Sequence, residues 1–217
     1  MKTALTFFKK YILTIIASLL LVWFIVLMLR IIMLYIPIQT DVAFLTIKQQ
    51  YINVKHWFTA FYIHVYTGIF VLLAGFTQFS PYILRQYKKV HIVAGRIYAF
   101  NIIFITGPTA FIMSFYSSGG SSGVAAFVIL SILWWCSTLY GVILAKNGKI
   151  IQHKSYMMRS YALALSAITL RFLKVIIATT TNLSVHERYQ IIAWGGWLIN
   201  LFIVELIIYY QHKRFVF

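Results

Sequence analysis

The sequence predicts an all-α membrane protein folded as a six-transmembrane antiparallel helix bundle with both termini cytoplasmic. Three observations carry that expectation. Apolar residues make up 62% of the 217, charged residues only 10%, and the mean hydropathy is +0.86. Six stretches, at about 11–36, 57–79, 92–116, 123–145, 155–178 and 189–210, approach or exceed the roughly 20 apolar residues that cross a bilayer. The Lys and Arg residues are also distributed unevenly. Lys2, Lys9, Lys10, Arg85, Lys88, Lys89, Lys146, Lys149, Lys154, Lys213 and Arg214 flank one end of the spans, and only Lys48, Lys55 and Arg188 flank the other. The richer side is expected to be cytoplasmic. The apolar stretches are continuous and do not alternate, which argues against a barrel. Amides in lipid must be satisfied within each segment, so the spans should be helices.

The first span follows a basic stretch and is a retained helix by expectation. Its apolar run is too long for a signal-peptide core, and no small-residue cleavage site follows it. Pro37 should end it, because proline cannot continue the backbone ladder. The connection over 37–56 is the longest, and Asp41 opens a short segment expected to lie along the interface. Pro81 closes the second span. The third contains Pro108, the sole proline inside a span. Ser117–Gly123 reads as a flexible, uncharged linker without chemistry. The fourth span carries Cys136, the single cysteine, which excludes an internal disulfide and any paired-cysteine metal motif. A buried cysteine of this kind behaves as a small hydrophobe. Short connections make neighbouring spans antiparallel, and the whole chain, 1–217, reads as one domain.

The net charge of +16 is largely this topological signal, with attraction to anionic headgroups added. No soluble basic domain stands apart, so nucleic acid is not an expected partner and the lipid bilayer is. There is no nucleophile–base triad, phosphate loop, paired-histidine zinc motif or carboxylate pair, which argues against a hydrolase or kinase.

The candidate site comes from polar residues inside spans, which are functional hypotheses by default. His64–Gly68 and His91–Gly95 both read HxxxG, placing histidine and glycine on one helix face. At about 1.5 Å of rise per residue, position converts to depth. Gln78, His91, Arg96, His153, Arg159 and Glu205 fall in an inner layer; His64, Arg171, His186 and Glu187 fall in an outer one, with Lys174 close by. Glu205 is the only acid within a span, so it should pair with Arg96 or Arg159, or else carry a proton. His91 and His153 share a depth on the third and fifth spans. They suit the two axial positions of a b-type haem iron, or they are interfacial histidines bonded to carbonyls and headgroups. His64 should face Arg171 and the outer end of the last span. Trp194 and Trp197 either wall a ligand or pack.

The stretches HVYTGIFVLLAGFTQF at 64–79, HIVAGRIY at 91–98, HKSYMMRSYALALSAITLR at 153–171 and WGGWLINLFIVE at 194–205 resemble the bacterial membrane-protein family known as domain of unknown function 2306. The resemblance picks out His64, Gly68, Gln78, His91, Gly95, Arg96, His153, Arg159, Ser160, Tyr161, Arg171, Trp197, Asn200 and Glu205. It implies a multi-pass protein of the bacterial inner membrane and carries no assigned activity. The 64–95 segment is also similar to part of the transmembrane ferrireductase cytochromes b, whose haems sit between histidine pairs on alternate helices. The fourth span here has no histidine, so that ladder is incomplete.

Together these features imply an intramembrane His/Arg/Glu site formed by His64, Gln78, His91, Arg96, His153, Arg159, Arg171, Trp197 and Glu205. The leading expectation is haem- or quinone-binding electron transfer, with His91 and His153 as the iron ligands. The alternatives are a small-molecule or proton-coupled transporter or binding protein, and a non-enzymatic membrane scaffold.

Overall fold

A computed structural model describes residues 2–216, with the side chains of 2–11, 13, 14, 17, 18, 21, 76 and 214–216 left undescribed. The expected roles of Lys2, Lys9, Lys10 and Arg214 therefore lie outside the described side chains. Among the described residues the chain is helical throughout and contains no strand. α1 runs Lys2–Met33, α2 Lys55–Gln78, α3 Pro81–Gln86, α4 Lys88–Asn101, α5 Gly107–Ser114, α6 Gly120–Lys146, α7 Ile150–Ala164, α8 Ser166–Thr180 and α9 Val185–Val216. A π-turn over Ile102–Thr106 joins α4 to α5, so the two form one rod. α7 and α8 likewise form one rod, interrupted at Leu165.

Five helices or rods are long and apolar enough to cross a membrane: Lys55–Gly75, Lys88–Ser114, Gly120–Lys146, Ile150–Thr180 and Val185–Lys213. They cover the second to sixth expected spans. In α1 the described apolar stretch is the shorter Val22–Met33. Chain neighbours pack against one another, and α9 also reaches back to α7 and α6. The central core holds Val71, Ala74, Tyr98, Ile102, Trp134, Leu163, Ala164 and Trp197, contributed by α2, the α4–α5 rod, α6, α7 and α9. Ile25 and Met28 bring α1 onto Ile69, Leu72 and Ile168.

Two segments are tied into the bundle in ways that composition did not show. Residues 37–56 fold into short turns against α2. Their 3₁₀ turns, Ala43–Ile47 and Gln49–Tyr51, bury Leu45 and Lys48 in an aromatic cluster with Tyr35, Trp57, Phe61 and Tyr62. Lys48 is 2% exposed. Its Nζ donates to the Tyr116 carbonyl at 2.7 Å and to Ser118 Oγ at 2.8 Å, and it lies 5.3 Å from the Tyr51 ring centroid. The Ser/Gly linker is held from several sides. Besides Lys48, Gln190 Nε2 donates to the Gly119 carbonyl at 3.0 Å and Trp194 Nε1 to Ser122 Oγ at 3.1 Å. Gly119 adopts φ +89°, a conformation few other residues accept. Composition alone suggested flexibility because the tethering groups lie 68 to 72 residues away in sequence. Pro81 also does more than close a span: it occupies the first turn of α3, behind a Ser80 cap.

Candidate functional site

The strongest polar feature is the pair of Arg159 on α7 and Glu205 on α9. Arg159 Nε donates to Glu205 Oε1 at 2.5 Å and Nη2 to Oε2 at 2.8 Å, a bidentate geometry. The Tyr156 ring lies 5.0 Å from the guanidinium carbon, close enough for cation–π attraction. Tyr140 stacks on Tyr156 with centroids 5.7 Å apart and planes at 22°. The pair is not sealed: Arg159 is 25% and Glu205 44% exposed. It opens into a cavity of about 340 Å³ whose wall includes Leu133, Cys136, Ser137 and Tyr140 of α6, Leu163 of α7 and Leu201 of α9. A second cavity of about 320 Å³ shares Tyr140, Tyr156 and Arg159 and continues past Gln152 and Ser155 to His212. Together they form a crevice from the middle of the bundle toward the α6–α7 turn.

The helices explain the shape of this crevice. α6 and α9 are held together at the other end by Trp194–Ser122 and by Tyr189 against Phe127. Farther along, side chains of α6, α7 and α9 line the cavity. A buried hydroxyl chain also ties α6 and α7 to α4. Tyr98 Oη lies 2.7 Å from Ser160 Oγ, and Ser160 Oγ lies 2.7 Å from Thr138 Oγ1. Thr138 donates to the Trp134 carbonyl at 2.8 Å. Its single proton is thereby used, so Ser160 must donate to Thr138 and Tyr98 to Ser160. Each hydroxyl donor is committed, and the chain joins α4, α7 and α6 as a structural knot.

The expected inner layer separates into distinct contacts. Gln78 Nε2 donates to the His91 carbonyl at 3.1 Å, and its Oε1 occupies the space a side chain on Gly95 would need. The second HxxxG motif therefore seats Gln78 of α2 against α4. His153 donates from Nδ1 to the Gly141 carbonyl of α6 at 2.8 Å, because a carbonyl only accepts; Nε2 is left as its free ring nitrogen. His91 Nδ1 is buried without a partner. Neither histidine lines either cavity, so the described cavities do not fit a haem held between His91 and His153. Arg96 is exposed.

The outer layer also separates. His64 donates from Nδ1 to the Thr106 carbonyl at 3.1 Å, beside the π-turn. Gly68, the other half of its motif, faces open space and does not seat a helix. Arg171 donates to the Ala167 carbonyl at 2.6 Å on its own helix. Trp197 is buried in the central core with no partner for Nε1. His186 contacts Gln190 Nε2 at 3.1 Å, and Glu187 caps Ser184.

The sequence reading missed Tyr140, Tyr156 and His212 as crevice residues and Asn101, Thr106 and Thr109 around the π-turn. Tyr156 sits three residues before Arg159, on the same helix face. Pro108 was the signal for the π-turn. Gly107 N–H donates to the Ile102 carbonyl, and Pro108 has no N–H to give. The Ile103 carbonyl is thus left to a side chain, and Trp135 Nε1 supplies the donor at 2.9 Å. Asn101 braces the same region by donating to the Thr67 carbonyl at 2.8 Å.

A family model described as "Predicted membrane protein (DUF2306)" matches residues 61–208, from within α2 to most of α9. No curated protein and no solved structure matches the chain.

Proposed function

The chain belongs to the DUF2306 family of predicted membrane proteins, and we propose that it is an inner-membrane binding protein whose crevice receives the headgroup of a small quinone-type amphiphile. The observation that carries this reading is the open Arg159–Glu205 pair. A carboxylate 44% exposed on a bundle whose surroundings are hydrocarbon is an expensive arrangement. A ligand headgroup that covers the pair and hydrogen-bonds to it offsets that cost. The walls suit such a ligand: Leu133, Leu163 and Leu201 line the apolar part, and the stacked Tyr140 and Tyr156 offer a flat surface beside the charges. The cavity is open and not enclosed, which suits entry of a ligand from the leaflet. The α6–α7 turn and the α9 end carry Lys146, Lys149, Lys154 and Lys213, and this basic bias supports a cytoplasmic position for the crevice end and for both termini of a six-span bundle.

Cys136 lines the crevice and is the single cysteine of the chain, so its alkylation reports on this place alone. The test uses protein in phosphatidylcholine nanodiscs and a lipid-soluble maleimide. The added ligand is a decyl-substituted benzoquinone with a fully substituted ring, which cannot itself add the thiol. Saturable slowing of Cys136 alkylation is expected. An alkylation rate indifferent to the quinone at every concentration overturns the reading.

A further inference from the structure

We infer that the Arg159–Glu205 pair is a charge filter, admitting headgroups without net charge and turning away anionic and cationic ones. This rests on the crevice being the binding site. The two side chains form a closed, electrically neutral unit, with Nε on Oε1 and Nη2 on Oε2. No other acid lines either cavity. The other titratable groups lining the cavities, among the described residues, are Cys136 and Tyr140 on α6, Tyr156 on α7 and His212 on α9. An anionic headgroup that reaches Arg159 must displace Glu205, and among the described residues that line the crevice no second lysine or arginine is there to receive the carboxylate. A cationic headgroup that takes Glu205 leaves Arg159 in the same position. An unpaired charge in a poorly hydrated site is costly. A neutral headgroup meets no such penalty. The carboxylate oxygens accept from its hydroxyl, the guanidinium N–H groups not used by Glu205 donate to its carbonyl, and the pair stays closed. Glu205 thus acts as the resident occupant of what would otherwise be an anion site. Tyr156, 5.0 Å from the guanidinium carbon, holds the guanidinium against an aromatic face, so Arg159 is fixed in place to receive whatever replaces it.

The experiment compares myristyl alcohol, myristate and myristylamine, which share a chain length and differ in headgroup charge. The readout is protection of Cys136 from a lipid-soluble maleimide in phosphatidylcholine nanodiscs. In the wild-type protein the alcohol is expected to protect at concentrations about tenfold lower than either charged probe, a difference of ~1.4 kcal/mol. Glu205→Gln leaves the guanidinium without its counter-charge and is expected to reverse the order, with myristate protecting best. Arg159→Met is the converse variant and is expected to favour myristylamine, so the inference does not depend on one substitution folding. Equal protection of the wild-type protein by alcohol and myristate, or an unchanged order in both variants, overturns the filter and leaves the binding reading standing. Failure of all three probes and of the quinone to protect wild-type Cys136 overturns both.

Discussion

Arg159 and Glu205 are the two residues on which the proposed chemistry turns. Glu205→Gln keeps the shape and removes the charge. Hydrogen bonds to charged groups contribute about 1.5–3 kcal/mol, and partial exposure of this pair places the expected loss toward the lower end. A lowered melting temperature in detergent is expected. Arg96→Gln, at an exposed position, should leave the melting temperature unchanged; equal losses in the two variants would contradict a special role for the pair. Lys48 makes a different argument. Burial holds its amine below the ordinary lysine value of 10.5, so the folded pKa lies under the unfolded one. Between those two values the unfolded chain binds more protons, and stability rises with pH. Below the folded pKa the cost of burying the charge is fully present. Unfolding midpoints of the wild-type protein should therefore climb as pH approaches 10.5, and Lys48→Met should show a flatter profile.

At the scale of elements, the α4–α5 rod shows how one residue reshapes a helix. Pro108 withholds an amide, the backbone widens into a π-turn, and Trp135 on α6 fills the donor role at the Ile103 carbonyl. Trp135→Phe keeps the ring and removes that donor. A buried carbonyl left without a partner costs about 1–3 kcal/mol, although this site is partly exposed, so the lower end applies. Chemical or thermal unfolding measures it, with Trp23→Phe at an exposed position of α1 as the neutral comparison. The α2 glycines make a second test of element packing. A Cβ on Gly75 would stand 2.0 Å from Tyr161 Oη, whereas one on Gly68 meets nothing within 4 Å. Gly75→Ala should displace Tyr161 and its 3.0 Å bond to the Leu72 carbonyl, lowering the yield of folded protein. Gly68→Ala should be neutral to slightly favourable, because alanine is the better helix former.

On the scale of the whole molecule, the two ends of the bundle are built differently. One end is closed by the segment 37–56, the Ser/Gly linker and the aromatic cluster that Lys48 ties together. The other is where α6, α7 and α9 leave the crevice. On the proposed orientation, with the crevice end in the cytoplasm, a reporter fused after Phe217 should be active only there; activity on the opposite side would reverse that orientation. Rigidity should follow the same division. Amide exchange in the 117–123 linker should be slow for a glycine- and serine-rich stretch, since Lys48, Gln190 and Trp194 hold it, and it should accelerate in Lys48→Met.

The amino-acid sequence by itself determined the membrane class, helical spans two to six to within a few residues, the family resemblance and the need for Glu205 to find an arginine. Each follows from local physics: lipid forbids unsatisfied backbone, and an intramembrane carboxylate demands a counter-charge. Depth named Arg96 and Arg159 as equal partners for Glu205, because residues at one level share a layer without sharing a face. Only the packing of α7 against α9 chose Arg159 and left Arg96 exposed. The same reason gives His91 and His153 different hydrogen-bond surroundings and gives the two HxxxG motifs unlike neighbours, one seating Gln78 and the other facing open space. Helix rotation and the partner met across an interface are decided by the summed packing of all the helices. One-dimensional spacing carries the depth of a side chain, and tertiary structure alone decides what it meets there.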